Sequence, residues 1–331
     1  MSGKVLESTQ AEASKTFADG LGPGLAYLGL RSAAWTAERL PLRAGDVLAR
    51  LAGGVAFRIR RGKRAIVRRN LARILPGGAD LNEMVREAFR SYSRYWLETF
   101  RLGRYSREDL LSMVDCLGWV LVESAIARGG GLLVVTGHFG FYDLGLAWVG
   151  VHGLPVTTVA EVLRPRAAFE WFAAKRERHG WRILPAKPGS AALRGLTMAL
   201  RRGEAVALVA ERDLGRRGAW VEFFGEETTF PPGPALLAAR TGAPLLSAAI
   251  YSTGRRYRLE FEEIPYERTG DERRDVAGIS QSIAAAIESM VRKAPEQWHM
   301  FSTNWPSDEP HLPPRGRARR TEPATPAPPS E

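Results

Sequence analysis

The residues best placed to do chemistry in this 331-residue chain lie in Thr136-Gly-His-Phe-Gly-Phe-Tyr-Asp143. They follow Gly131-Leu-Leu-Val-Val-Thr136, an apolar run of strand length that suits the centre of a sheet. His138 therefore stands just past the carboxyl end of a buried strand, where α/β sheets place their ligand sites. Asp143 comes five residues later. Five steps along a continuous helix rotate by about 140°, so the two side chains meet only if His138 precedes the helix and Asp143 lies inside it. Gly137 and Gly140 permit the turn this requires. A carboxylate on the far imidazole nitrogen would fix the tautomer and stabilise the imidazolium, making His138 a general base. The competing reading is a satisfied structural histidine. The position after a strand and between two glycines favours chemistry.

Two further strand ends deliver polar groups. Glu211-Arg-Asp213 follows the apolar run Val206–Val209, and Glu161-Val-Leu-Arg164 follows Val156–Ala160. Glu161, Arg164, Glu211 and Asp213 are thus expected to share a crevice with His138. A covalent nucleophile is missing from the motifs: there is no G-x-S-x-G elbow, and the single cysteine, Cys116, sits in an apolar neighbourhood. One cysteine also excludes a disulfide framework and a thiolate metal cluster. No P-loop, His-Glu-x-x-His or dinucleotide fingerprint is present. With five histidines, a metal hydrolase built on His138, Asp143 and Asp213 is a minor alternative, and no metal is expected.

These residues need a scaffold that aligns several strand ends. Strand-like runs at 131–136, 156–162, 182–185 and 205–210 alternate with helical segments at 141–151, 166–179 and 191–202. Strands at 244–251 and 258–264 precede a last helix over 275–292. The alternation predicts an α/β fold with a mainly parallel central sheet flanked by helices on both faces. Residues 21–128 read as helices, broken at Pro41, around Pro76–Gly78 and near Gly103, so one domain over 21–305 is expected: a helical lead (21–128) and an α/β core (129–305). Residues 1–20 are polar and expected to fray. The segment 306–331 holds eight prolines and is expected to be disordered.

At 45% hydrophobic and 25% charged residues the chain is globular in composition, but its net charge of +11 is unusual. Between Arg39 and Arg73 there are eleven Lys and Arg against one acid, Asp46, so this window alone carries +10. Ala44, Val47, Leu48, Leu51 and Val55 fall on one helical arc within it, and Val67, Leu71 and Leu75 repeat the pattern. A basic flank beside an apolar stripe is the arrangement of helices lying in a membrane interface. Arg43, Arg50, Arg58, Arg60, Arg61, Lys63, Arg64 and Arg68 are the expected contacts to an anionic membrane surface. A solvated packing helix is the plainer reading. Nucleic acid is not expected, since no binding module accompanies the patch. With no apolar leader at the N-terminus and no stretch of about 20 apolar residues, the expected location is peripheral, on the cytoplasmic face of the plasma membrane.

The text around these residues is similar to a known family. His-x-x-x-x-Asp with a strand before and a helix after is the hallmark of glycerolipid acyltransferases. Thr136–Asp143, Glu211-Arg-Asp-Leu-Gly215, Phe223-Phe-Gly225, Pro231-Pro-Gly-Pro-Ala235 and Arg240-Thr-Gly-Ala-Pro244 together resemble the bacterial lipid A biosynthesis (lauroyl/myristoyl) acyltransferases. Arg69-Asn-Leu71 and Pro295-Glu-Gln-Trp298 also fit, and the resemblance spans about residues 25–305. Asp at 143 and Glu at 211 make it most like the actinobacterial phosphatidylinositol mannoside acyltransferases. The resemblance implies transfer of a fatty acyl chain, typically palmitoyl, from acyl-CoA as co-substrate to a mannose hydroxyl of a mannosylated phosphatidylinositol, with no cofactor. It makes His138 the base and Asp143 its orienting carboxylate, with Glu211 near His138. Glu161, Arg164 and Arg176 match substrate-binding positions, although Arg178 competes with Arg176. A lipid A-type or lysophospholipid O-acyltransferase and a catalytically inactive membrane-binding relative are the alternatives.

Overall fold

A computed structural model of the protein describes residues 23–75, 80–162, 165–186, 191–213, 215–254 and 256–308. The helices are α1 (Pro23–Arg39), α2 (Leu42–Ile59), α3 (Arg61–Ile74), α4 (Leu81–Arg101), α5 (Arg107–Met113), α6 (Trp119–Ala127), α7 (Tyr142–Val151), α8 (Arg166–Glu177), α9 (Ala191–Arg201), α10 (Gly233–Thr241) and α11 (Glu272–Lys293). The strands are β1 (Val114–Leu117), β2 (Leu132–Thr136), β3 (Val156–Glu161), β4 (Trp181–Ala186), β5 (Ala205–Val209), β6 (Ala219–Phe223), β7 (Glu226–Phe230), β8 (Leu245–Ser252) and β9 (Tyr257–Glu263). Seven strands form one sheet in the order β1-β9-β8-β2-β5-β3-β4, and β6 with β7 makes a separate hairpin. The large sheet is parallel except for the antiparallel pair β8–β9.

Alternation along the central strands feeds two cores. Leu133 and Val135 of β2, with Val206 and Leu208 of β5, join a cluster containing α3, α10 and α11 residues such as Leu71, Leu237 and Ile283. Leu132, Val134, Ala205 and Ala207 point to the other face and pack with Leu110, Val122 and Leu144. Because both faces are covered, all five residues of β2 are buried, which is why the run reads as continuously apolar.

The helical reading of residues 21–128 is corrected at Val114–Leu117. These four residues form edge strand β1, paired only with β9. An edge strand of four residues between two helices is too short to impose an alternating pattern. The hairpin β6–β7 and helix α10 were likewise not anticipated as elements. The expected break at Pro76–Gly78, the N-terminal segment and most of the Pro-rich tail lie outside the described residues. Beyond the expected end at 305, Pro306–Asp308 form a 3-10 turn, and Asp308 pairs with Arg73 at 3.0 Å.

Helix α2 carries its small residues inward and its large apolar ones outward. Gly45, Ala49 and Gly53 face α4, and a Cβ on Gly53 would lie 2.6 Å from the Arg90 Cα. On the opposite arc Val47, Leu48, Leu51, Val55 and Ile59 stand between 49% and 70% exposed. Leu25, Leu28 and Trp35 of α1 are also exposed. Buried Arg101 holds the connection, donating to the carbonyls of Ala37, Leu40 and Pro41 at the end of α1. The stripe does not continue into α3: Val67 and Leu71 are in the core, so that helix is a packing element. Lys63 also turns inward and donates to the Phe301 carbonyl at 3.1 Å. Among the described residues no helix is long and apolar enough to cross a membrane.

Candidate active site

Strands β2 and β5 are neighbours in register, with Thr136 opposite Val209 and the Ala210 N–H donating to the Thr136 carbonyl at 2.9 Å. His138 and Glu211 each lie two residues beyond these strand ends, and so they meet. The Glu211 Oε1 lies 3.0 Å from His138 Nδ1 and also accepts the His138 backbone N–H at 2.5 Å. Glu211 is fully buried and its pKa is lowered: burial opposes the charge, but His138 and the backbone N–H groups outweigh it. An ionised carboxylate on Nδ1 requires that nitrogen to carry the proton, which leaves the lone pair on Nε2. The side chain of His138 is 29% exposed, so it is reachable by a substrate.

Asp143 occupies the first turn of α7, as the spacing requires, but its carboxylate faces elsewhere. Arg176 of α8 holds it bidentately, Nε to Oδ1 and Nη2 to Oδ2, both at 3.1 Å. Tyr95 and Thr99 of α4 each donate to Oδ2 at 3.2 Å. The orienting contact expected from Asp143 is thus made by Glu211, and Asp143 instead ties α7 to α4 and α8. The same geometry commits Arg176 to Asp143. Glu161 ends β3 as an exposed residue. Asp213 accepts the N–H groups of Gly215 (3.1 Å) and Gly218 (2.7 Å) and so shapes its own loop. Arg164 lies outside the described residues. Cys116 is on the far edge of the sheet, and burial pushes its thiol up to about 11, so it is no thiolate at neutral pH.

Sequence reasoning missed the strap that holds the His138 turn. Gln297–His299 runs antiparallel to it: Gly140 N–H donates to the Gln297 carbonyl (2.8 Å), and His299 N–H to the His138 carbonyl (2.7 Å). Phe139 and Trp298 form the bridge between these bonds. Gln297 also holds Ser252 at the end of β8, accepting its N–H and donating to its carbonyl. Gly140 must be glycine here, with φ of +57° and space for a Cβ only 1.8 Å from the Ile250 carbonyl oxygen. In the sequence, Pro295–Trp298 stands out only through the family resemblance. Its pairing with a turn more than 150 residues away leaves no local signal.

His299 itself is buried, with Nε2 3.0 Å from Ser91 Oγ and no partner on Nδ1. Burial, with the neighbouring His138, lowers its pKa to about 3. The unfolded chain then binds an extra proton between the ordinary imidazole pKa of about 6.5 and about 3. Stability is therefore complete above about pH 6.5 and declines on acidification at up to about 1.4 kcal/mol per pH unit. Melting curves of His299→Gln between pH 4 and 7 should be flatter than those of the native chain. Parallel curves would assign the acid sensitivity to other groups.

Comparison with known proteins places the chain in a family. The model of the family described as bacterial lipid A biosynthesis acyltransferase matches residues 21–307. The chain is similar to the phosphatidylinositol mannoside acyltransferases of Mycobacterium tuberculosis (34% identity over 260 residues, 77% of this chain and 81% of the relative) and Mycolicibacterium smegmatis (33% over 258 residues, 77% and 84%). It is more distantly similar to the lipid A biosynthesis palmitoleoyltransferase of Escherichia coli (27% over 279 residues, 80% and 85%).

Proposed function

Because the chain belongs to the bacterial lipid A biosynthesis acyltransferase family and is an acyltransferase, we propose that it moves a fatty acyl chain, palmitoyl in the first instance, from acyl-CoA to a mannose hydroxyl of a phosphatidylinositol mannoside. The observation that carries the reading is the His138–Glu211 pair at the ends of adjacent strands. His138 Nε2 takes the proton of the sugar hydroxyl as its oxygen attacks the thioester carbonyl carbon. The C–S bond of the tetrahedral intermediate then breaks, and the leaving sulfur recovers the proton from the imidazolium. Glu211 supports the positive charge on His138 during that interval. An ester and the free thiol of CoA result, and no acyl-enzyme is required. The test is mass spectrometry of lipids after incubation with palmitoyl-CoA and either mannosylated phosphatidylinositol, a lysophospholipid or a lipid A precursor. Acylation confined to the mannosylated lipid is expected, and acylation of either other acceptor in its place would reassign the substrate.

The outward face of α2 supports peripheral docking on an anionic leaflet, cytoplasmic in the cell, which is where a lipid acceptor would be met. Each exposed leucine or valine that enters the interface contributes about 1.5–3 kcal/mol on full burial, and each nearby arginine about 1 kcal/mol. The paired change Leu48→Asp and Leu51→Asp should lower partitioning onto vesicles containing phosphatidylglycerol by more than about tenfold, with an unchanged melting temperature. Equal partitioning would mean that this face meets something other than lipid.

A further inference from the structure

Arg212 leaves the same strand end as Glu211. Its Nε is buried without a hydrogen-bond partner, and among the described residues no carboxylate pairs with it. Lys63 approaches from α3. Its Nζ donates to the carbonyl of Phe301, whose ring stacks on Tyr92 at 4.5 Å. Tyr92 in turn borders His299 at 5.3 Å, and His299 is bonded to His138. Lys63 and Tyr92 both lie in the field of Arg212 and Arg60, and burial, then those two charges, hold the Lys63 ammonium below its ordinary range.

Helix α3 adds to the field. It opens Arg61-Gly-Lys63-Arg64 and carries no acid in its first turn, the reverse of what a helix N-terminus favours. Lys63 and Arg212 are part-buried and, among the described residues, have no carboxylate against them, so their charges repel until an anion arrives. A guanidinium fork beside an ammonium suits the oxygens of a phosphate.

We propose that Arg212 and Lys63 form a phosphate subsite beside the His138–Glu211 pair, which receives a phosphate group of one of the two substrates. The proposal rests on the acyl-transfer reading only for the identity of that ligand. It is the phosphodiester of the glycolipid or the phosphates of the acyl-donor nucleotide. Either would anchor a long substrate at a fixed distance from Nε2, which converts binding into orientation of the reacting atoms.

The experiment is calorimetric titration of the intact protein with coenzyme A and, separately, with dihexanoyl phosphatidylinositol below its micellar concentration. Arg212→Gln should weaken one of the two by about ten- to hundredfold, as expected for loss of a charge-assisted pair. Lys63→Gln should weaken the same ligand, and Arg212→Lys should recover part of the loss. Circular dichroism and melting curves establish that each variant is folded. Weakening of coenzyme A assigns the subsite to the donor, and weakening of the phosphatidylinositol assigns it to the acceptor. Unchanged affinity for both in Arg212→Gln, or no binding of either by the native chain at millimolar concentration, overturns the subsite. Arg212-dependent binding in a protein that transfers no acyl chain would uphold the subsite and remove the reaction instead.

Discussion

Replacing His138 with alanine is expected to slow acyl transfer by roughly 10³- to 10⁴-fold, the upper range for loss of a positioned general base. The effect should fall on turnover, because the part-exposed imidazole contributes little to the core. Glu211→Gln keeps an oxygen for the His138 backbone N–H but removes the charge that supports the imidazolium, so a loss of about 10²-fold is expected. Combining the two changes should be no worse than His138→Ala alone, since Glu211 acts through His138 and the effects of such a unit do not add. Initial rates with palmitoyl-CoA and the mannosylated lipid measure all three. A His138→Ala enzyme that kept a tenth of its rate would exclude proton transfer by this residue. A double variant markedly slower than His138→Ala would give Glu211 a separate task.

The turn bearing His138 was legible because a run of consecutive apolar residues, Gly131–Val135, ends in a turn flanked by Gly137 and Gly140, and sequence locality carries that signal. Its partner was not so legible. His138 and Asp143 are near in sequence, but the imidazole meets Glu211, brought alongside by the β2–β5 register. Spacing assigns that contact to Asp143, and strand-end position puts Glu211 only in the same crevice, because which carboxylate reaches Nδ1 depends on sheet order. The sheet's class was readable from alternation, whereas β1 was hidden by its length and edge position. The Gln297–His299 strap was hidden by sequence distance. For α2 the periodicity of apolar residues was real, and the face they occupy is solvent-exposed because Gly45, Ala49 and Gly53 take the packing side. In α3 the same periodicity marks ordinary core residues. A hydrophobic pattern locates a face, and only the size of the residues opposite tells which side the protein buries.

Arg176→Met should destabilise the fold by about 3–5 kcal/mol, because it strands the buried Asp143 carboxylate. Arg176 is a cation whose burial disfavours its charge and whose pKa is nevertheless raised, with Asp143 the leading compensating group. Tyr95 and Thr99 would remain as neutral donors to Oδ2, too few to replace a bidentate guanidinium. A fall in melting temperature of roughly 10 °C corresponds to that loss in a domain of this size. Arg176→Lys should lie between, since one ammonium cannot reproduce the fork on both oxygens. Changing both partners, Asp143→Leu with Arg176→Met, should recover part of the stability by removing both buried charges together. Activity measured well below the melting temperature separates this from a substrate-binding role. If Arg176 served the acceptor or donor directly, Arg176→Met would raise KM in a protein as stable as the native one. If Asp143 oriented His138, Asp143→Asn would reproduce the rate loss of Glu211→Gln at unchanged stability. The bidentate contact predicts the opposite order for both residues: stability falls first, and catalysis is lost only as the α4–α7–α8 junction loosens.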